Sequence, residues 1–455
     1  MLFDNPPKEW NVTTLGEVCS QGGGGIQTGP FGSQLHASDY VDEGIPSIMP
    51  ANIGDNRISE EGIARITKED ADRLSKYLVQ IGDIVYSRRG DVEKCALVRK
   101  NEDGWLCGTG CLRVRPGNGV ADPLFCSYFL SHPDSREWIS RHAVGATMPN
   151  LNTQILSEVP FLLPDWTEQK AIAHILGTLD EKIELNRKTN ETLEGIAKAL
   201  FKSWFVDFDP VRAKAEGRPT GLPDEISELL PDSFENSELG EIPSGWEFKQ
   251  LGSIADVIDP HPSHRAPEAI EEGYPFAGIG DIDAMGNISI HKARVVGEET
   301  IQEQEESFSI NNRTIGFGRV GTVGKVVRLR NQDFRYALSP TLAVVNPQKR
   351  FASACYLLLG STTFQNTVFS QMTGSTRPAI GIKVLRKLSS PFPSCDQPQI
   401  LKSFEGLCAP LLAKGDILNS EIQLLTSLRD ALLPRLISGE LRVPDAEKML
   451  EEVGV

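Results

Sequence analysis

The chain has 455 residues, 40% of them hydrophobic and 24% charged, and a formal net charge of −16 at pH 7. Its length suits two to four domains, and no apolar run reaches the ~18 residues that a membrane span needs. Cys107 and Cys111 form a C-x3-C pair, but no second pair or nearby histidine completes a zinc site. We therefore expect no metal, and reduced thiols in a cytoplasmic protein.

The negative charge is concentrated in two segments. Residues 205–245 contain ten acidic and three basic side chains, and residues 440–455 contain five acidic and two basic ones. A strongly acidic chain argues against nucleic-acid binding. Here the remainder of the chain is only mildly acidic, so it can still present basic faces.

The first 165 residues predict short strands interrupted by Gly, Pro, Asn and Asp, with helical pieces near 68–78 and 123–142. Ile81 to Arg99 predicts a strand, a turn and a second strand. The initial residues MLFDNPPKEW lack the basic and apolar regions of a secretory signal, which again favours the cytoplasm.

A long helix is predicted at 168–204, a stretch without proline. With Ile172 at heptad position a, eight of the ten a and d positions are apolar and the other two are asparagine, which is typical of two long helices packed together. Its 37 residues correspond to a rod of ~55 Å. Buried asparagines fix the register of such a pair, so Asn186 and Asn190 predict a defined partner. The predicted contact seam consists of Ile172, Leu176, Leu179, Ile183, Asn186, Asn190, Leu193, Ala197, Leu200 and Trp204.

After an acidic connector rich in Pro and Gly, the chain repeats itself at an offset of about 230 residues. Pro7-Lys-Glu-Trp10 returns as Pro243-Ser-Gly-Trp246, and SRRGDVEKCALV returns as GRVGTVGKVVRL. GATMPNLNTQIL (145–156) likewise returns as GSTRPAIGIKVL (374–385). These matches predict a tandem duplication of one α/β module.

The second module also ends in a helical segment. Pro410 predicts a kink in it, and Pro434 with Gly439 predicts its end. Two modules that are each followed by a seam-bearing helix favour an antiparallel helix pair with a pseudo-twofold axis. The second seam is predicted to include Leu407, Leu411, Leu418, Leu425 and Leu432, together with Ile400, Phe404 and Leu428.

No catalytic motif is present. The sequence contains neither G-x4-G-K-[ST] nor a strand–helix G-x-G-x-x-G, and its seven histidines form no metal or triad pattern. Asn5-Pro6-Pro7-Lys8 resembles the tetrapeptide of amino-methyltransferases, but Lys8 stands where the stacking aromatic belongs.

Basic and amide side chains on matching turns of the two modules are candidates for DNA contact, since arginine binds guanine edges or phosphate and asparagine binds adenine. The candidates are Arg88, Arg89, Lys94, Arg113, Arg115, Asn150 and Asn152 in the first module and Arg319, Lys325, Arg377 and Lys383 in the second. Further candidates are Arg136, Arg141, Gln154, Arg328, Arg330, Arg335, Arg386 and Lys387.

Several stretches resemble the specificity subunit of type I restriction-modification systems: VPFLLPDWTEQKAIAHILGTLDEKIELN (159–186), LFKSWFVDFDPVRAKAEG (200–217), DSFENSELGEIPSGWEFKQLG (232–252), TGPFGSQLHASDYVDEGIP (28–46) and LLPRLISGELRV (432–443). The resemblance implies two target-recognition domains, each reading half of a split double-stranded DNA sequence, and helices that set the spacer. It also implies two methylation subunits as partners, joined by nuclease/translocase subunits, with S-adenosylmethionine held by the methylation subunit and no cofactor in this chain.

The expected fold class is α+β, with recognition domains at 1–165 and 243–395, long helices at 166–206 and 396–443, a connector at 207–242 and an acidic tail at 444–455. The expected role is non-catalytic. Two alternatives remain open: a self-contained DNA methyltransferase or nuclease, which needs a cofactor or metal motif, and a duplicated coiled-coil adaptor without DNA readout.

Overall fold

The computed structural model describes residues 6–145, 148–237, 240–261, 267–289, 293–374 and 376–453. It divides into two compact units, the first formed by 1–184 with 423–455 and the second by 185–422. Asn5, His264 and His291 lie outside the described residues. Within the described ranges, no helix combines the length and apolar composition required to cross a lipid bilayer.

The strands are, in chain order, β1 (Asn11–Thr14), β2 (Gly25–Thr28), β3 (Tyr40–Val41), β4 (Ile45–Ile48), β5 (Ala64–Ile66), β6 (Ile84–Ser87), β7 (Cys95–Leu97), β8 (Leu106–Cys107), β9 (Cys111–Arg115), β10 (Pro160–Leu163), β11 (Phe234–Ser237), β12 (Gly240–Pro243), β13 (Trp246–Gln250), β14 (Ala255–Ile258), β15 (Tyr274–Ala277), β16 (Arg294–Val296), β17 (Ile315–Gly318), β18 (Val326–Arg328), β19 (Ala337–Leu338), β20 (Leu342–Pro347) and β21 (Ser389–Pro393). The helices are α1 (Leu15–Gln21), α2 (Lys68–Arg73), α3 (Pro123–Ser131), α4 (Pro133–His142), α5 (Thr153–Ser157), α6 (Trp166–Phe205), α7 (Asp209–Ala215), α8 (Asp224–Ser227), α9 (Leu251–Ile254), α10 (Glu298–Ser307), α11 (Ala352–Gly360), α12 (Thr362–Ser370), α13 (Ile382–Lys387), α14 (Pro398–Ile437) and α15 (Val443–Val453). Short 3-10 helices lie at Ala37–Asp39, Pro50–Asn52, Ser75–Tyr77, Lys100–Glu102 and Lys349–Phe351.

The first unit is built around two four-stranded sheets, in the orders β2-β9-β6-β7 and β3-β5-β4-β8. Strand β6 is buried along its whole length, and it pairs antiparallel with β7, which confirms the predicted strand, turn and strand. Asp122 caps α3 and Pro123 starts it, as the preferences of helix N-termini require. Strands β1 and β10 pair antiparallel and bring the two ends of the module together.

The second unit repeats this topology. Its four-stranded sheet has the order β14-β20-β17-β18, and β13 pairs with β21 as β1 pairs with β10. A parallel pair, β15 with β19, corresponds to the parallel pair β4 with β8. The repeated order of sheets and helices confirms the duplication predicted from the sequence.

Within the second unit, the two long helices run antiparallel. The Nδ2 of Asn190 on α6 donates to the Oδ1 of Asn419 on α14 at 2.6 Å, and Phe201 packs edge-on against Phe404 with ring centroids 6.2 Å apart. A Cβ at Gly415 would lie 2.5 Å from the Oδ1 of Asn190, so a side chain there would push this amide aside. The asparagine in the seam therefore has a defined partner, as predicted.

The structure buries most of the predicted seam, with one correction. Ile172, Leu176, Leu179, Ile183, Asn186, Ala197, Trp204, Leu418, Leu425 and Leu432 are buried, and Asn190, Leu193, Leu200 and Leu411 are half-buried. Leu407 is 36% exposed and does not belong to the seam, whereas Cys408 is fully buried. The physical reason is the helical period: position 408 lies four residues after Phe404 and seven after Leu401, which are both buried, so it shares the face of both.

Helix α14 spans Pro398–Ile437, inside the expected range 396–443, and it continues through both Pro410 and Pro434. It ends two residues before Gly439, which takes a φ of 72°, as the glycine at this position predicted. Each proline removes one backbone hydrogen bond. Buried side chains on both sides of Pro410, such as Cys408 and Leu418, hold the helix against its neighbours and offset that loss.

The segment at 207–242, expected to be a connector, is part of the core of the second unit. It contains α7, α8, β11 and β12, and it buries Phe208, Val211, Leu230 and Ile242. The sequence did not predict this burial, because the apolar residues are widely spaced among acidic ones. The expected tail at 444–455 likewise lies largely in α15.

Candidate nucleic-acid interface

In the first unit, two loops are joined at one edge of the module. Strand β6 ends at Ser87, and Gly90 takes a φ of 76°, which favours glycine. The N–H of Leu151 donates to the carbonyl of Arg88 at 2.9 Å, and the N–H of Gly90 donates to the carbonyl of Pro149 at 3.2 Å. We call residues 88–90 with 149–151 the first paired-loop edge.

The second unit has the same construction. Gly321 takes a φ of 77°, and its N–H donates to the carbonyl of Pro378 at 2.9 Å. The N–H of Ile380 donates to the carbonyl of Arg319 at 2.9 Å. Residues 319–321 with 378–380 are the second paired-loop edge, so one backbone frame presents different side chains in each unit.

The first paired-loop edge carries several of the predicted DNA-facing residues. Arg89 is exposed, and Arg88 and Asn150 are half-buried. The Arg88 guanidinium carbon lies 5.8 Å from the centroid of the Phe31 ring, which is 53% exposed. Lys94 follows the edge and is exposed, and it pairs with Asp91 at 2.6 Å. Exposed pairs of this kind are weak, so Lys94 can exchange Asp91 for a phosphate.

Arg113 and Arg115 are both paired with groups inside the first unit. Arg115 donates from Nε and Nη2 to the two oxygens of Asp83 at 2.7 and 2.6 Å, and the Asp83 side chain is only 2% exposed. The hydrogen bond to Asp83 raises the pKa of Arg115. Arg113 donates to the carbonyls of Lys76 and Leu78 at 3.1 and 2.9 Å, and burial lowers its pKa. Both guanidinium groups therefore hold the sheet of the first unit together.

Asn152 also has a local structural role. Its Oδ1 accepts from the N–H of Ile155 at 2.8 Å and caps α5. Asparagine is among the preferred residues at this position because its side chain satisfies a free N–H at the helix start. Its acceptor oxygen is thus already used inside the module.

In the second unit, two of the four principal candidates are internal. Arg319 is 7% exposed, and its Nη2 donates to Asp259 at 2.8 Å. The Nζ of Lys325 donates to the carbonyls of Ile279 and Ile282 at 3.0 and 2.6 Å. Arg377 and Lys383 are exposed, so they remain candidates for contact with a ligand.

Most of the further candidates are also paired inside the chain. Arg136 pairs with Asp55, Arg141 with Glu137, Arg328 and Arg330 with Asp416, and Arg335 with Glu298 and Glu305, while Gln154 donates to Glu158 and Arg386 donates to the carbonyl of Val257. Lys387 is exposed. Sequence reasoning missed these partners because most of them lie far away along the chain.

Each unit also contains a polar contact between its module and a long helix. In the first unit, the hydroxyl of Tyr128 donates to Asp180 on α6 at 2.6 Å, and Arg429 on α14 donates to the same carboxylate at 2.8 Å. In the second unit, the hydroxyl of Tyr356 donates to Glu194 on α6 at 3.1 Å. Burial raises the pKa of both tyrosines, so both remain protonated donors. These contacts fix each module on the helical segment of its own unit.

Among the described residues, no group of three or more His, Cys, Asp or Glu side chains is arranged to hold a metal ion. Seven cysteines are buried, and Cys107 and Cys111 have pKa values raised by burial. The site is thus made of loop edges with arginine, lysine and amide side chains. Two modules with one backbone frame and different edge side chains define a duplicated recognition protein.

Comparison with known proteins agrees with this class. The family model described as "Type I restriction modification DNA specificity domain" matches residues 7–195 and 243–417. The MjaIX specificity subunit of Methanocaldococcus jannaschii is 27% identical over 447 residues, which cover 96% of this chain and 95% of that protein. The HindI specificity subunit of Haemophilus influenzae is 26% identical and covers 87% of this chain and 95% of its own length.

A crystal structure of a type I restriction-modification S subunit from M. genitalium has the same fold, with a TM-score of 0.56, 17% identity and coverage of 96% of this chain and 97% of that one. The two family matches coincide with the two modules and reach into the long helices. The chain belongs to the type I restriction-modification DNA specificity family. Its role is DNA recognition, as the resemblance implied.

Proposed function

We propose that this chain is the DNA-recognition subunit of a type I restriction-modification complex and that it reads a split, asymmetric target, one half with each module. The observation that carries this proposal is the paired-loop edge, which has the same backbone hydrogen bonds in both units but different side chains. Where the first edge has Arg89 and Asn150, the second has Val320 and Ala379. Base edges are read by side chains, so two edges that differ in this way read different sequences.

The long helices set the distance between the two half-sites. Helices α6 and α14 have 40 residues each, and 40 residues at ~1.5 Å each extend over ~60 Å. Half-sites that face the same side of DNA are separated by about one helical turn, ~34 Å, or a multiple of it. The hydrogen bond between Asn190 and Asn419 supports this role because it opposes sliding of one helix along the other.

The methylation chemistry belongs to partner subunits. Two methylation subunits dock on the helical regions and hold S-adenosylmethionine, and nuclease/translocase subunits join that core. A methylating subunit must rotate its target base out of the duplex, whereas this chain recognises the DNA sequence and supplies no catalytic group. The complex acts in the cytoplasm. Family membership supports these assignments.

The test is to co-express the chain with its methylation subunit in a host without adenine methylation and to map N6-methyladenine across the genome. We expect a split, asymmetric motif with a fixed spacer that is absent when this chain is omitted. A stable complex that adds no methylation would contradict the proposal and favour the duplicated coiled-coil adaptor. Methylation by the purified chain alone would favour a self-contained methyltransferase.

A further inference from the structure

The two modules differ at one position that decides what their edge arginines do. Strand β2 ends at Thr28 and β14 ends at Ile258, so Gly29 in the first module corresponds to Asp259 in the second. In the second module, Asp259 binds Arg319 at 2.8 Å. In the first, a Cβ at Gly29 would lie 2.1 Å from the carbonyl oxygen of Gly108, so no carboxylate side chain fits there.

Arg88, the counterpart of Arg319, therefore lacks this internal counter-ion. Its guanidinium lies over the ring of Phe31, an aromatic residue that the sequence reasoning did not single out. A cation above an aromatic face is attracted to it, which limits the conformations of the arginine side chain while leaving its donors unused. The corresponding position in the second module is His261, whose ring lies 6.3 Å from that of Phe276.

Two polar atoms at this edge also lack a partner. Among the described residues, neither the buried Nε of Arg88 nor the buried Oδ1 of Asn150 has a hydrogen-bond partner. Buried polar groups in folded proteins are nearly always paired, so an unpaired one calls for an explanation, such as a bound water, ion or ligand. Donor and acceptor atoms on adjacent loops, beside an exposed ring, match the chemistry of a base edge.

We infer that Arg88, held over Phe31, donates to the O6 and N7 of a guanine in the half-site read by the first module. Phe31 is a positioning residue that limits the conformations of Arg88. This inference rests on the proposed function and deepens it, because it assigns one base contact to one side chain. It also implies that the second module, whose Arg319 is held by Asp259, reads its half-site with other residues.

The experiment uses the complex with its methylation subunits and a library of randomised DNA duplexes. Wild type, Arg88→Ala, Arg88→Lys and Phe31→Ala complexes each select bound duplexes, which are then sequenced. We expect both Arg88 variants to lose about 10- to 100-fold discrimination at one G·C pair of the first half-site, because lysine lacks the planar fork. Phe31→Ala should give a smaller loss at the same pair. The second half-site should be unchanged in all three.

Lys68→Ala is the matched control, since Lys68 is an exposed basic residue at the start of α2 and lies outside the paired-loop edge. Arg88 variants that bind every sequence more weakly, with the same base preference at every position as wild type, would show a phosphate contact and overturn the inference. So would an altered second half-site. If an Arg88 variant fails to fold, Phe31→Ala still decides, because its ring is largely exposed. A wild-type complex that selects no split motif would instead contradict the proposed function.

Discussion

The ion pair between Asp83 and Arg115 separates a structural role from a DNA-binding role for the arginines of strand β9. Asp83 accepts two hydrogen bonds from Arg115 and one from the N–H of Gln80 at 2.8 Å. In the variant Asp83→Ala, all three are lost and Arg113 and Arg115 remain in a partly buried site without a counter-ion. Breaking a buried pair from one side costs about 3–5 kcal/mol. Because the Arg115 side chain is 28% exposed, we expect the lower end of that range, about 3 kcal/mol.

The assay is hydrogen exchange of peptides from β6 and β9, which reports the first unit separately from the second. A loss of about 3 kcal/mol corresponds to exchange that is roughly 100-fold faster. Asp91→Ala is the matched control, since Asp91 pairs with the exposed Lys94 and should cost less than about 0.5 kcal/mol. Unchanged exchange in Asp83→Ala, together with weaker DNA binding by the complex of Arg115→Ala, would refute the structural role.

Three further predictions follow from other contacts. His132 caps α4 by accepting from the N–H of Asp134 at 3.0 Å, and burial lowers the pKa of its imidazole from 6.5. Because the unfolded chain then binds this proton at a higher pH than the folded chain, the first unit should lose stability as pH falls below about 6.5. Urea unfolding of wild type and of His132→Asn, which keeps a capping oxygen, should show this pH dependence only in wild type, and an equal dependence in both would show that His132 is not its source. Asp259→Ala leaves Arg319 buried without its carboxylate and should destabilise the second unit by about 3 kcal/mol, measured by hydrogen exchange of β17; a loss below about 1 kcal/mol would show that Arg319 can turn outward. Insertion of one heptad in both α6 and α14 should lengthen the spacer of the methylated motif and leave both halves intact, and an unchanged spacer would show that the long helices do not set the distance between the half-sites.

The residues that sequence reasoning placed correctly are those whose structure depends on near neighbours. The seam residues from Ile172 to Ile183 are buried because a helical period places them on one face, and that period is visible in the sequence. Gly90 and Gly321 mark the same turn in both modules because a positive φ favours glycine. Where the period alone left two choices, as between Leu407 and Cys408, the sequence favoured the more hydrophobic residue and the packing buried the other.

The candidate interface was predicted less well, because carboxylates that are distant in sequence determine whether an arginine side chain is paired inside the protein or available to a ligand. Arg115 donates to Asp83 because their strands are paired, Arg319 donates to Asp259 at the end of another strand of its sheet, and Lys325 donates to two backbone carbonyls. None of these partners is adjacent in sequence to the arginine or lysine that it binds. Composition likewise pointed to an acidic connector rich in Pro and Gly at 207–242, whereas four buried apolar residues make this segment part of the core of the second unit.

The sequence by itself determined the duplication, the two long helices and the absence of a catalytic motif, since these depend on periodicity, internal matches and residue spacing. Only the tertiary structure decided which basic side chains are available to a ligand. Arg88 and Arg319 occupy the same position of the repeat, but a glycine in one module and an aspartate in the other give them opposite roles. The physical reason is that a charged side chain responds to the nearest opposite charge in space, and folding determines which charge that is.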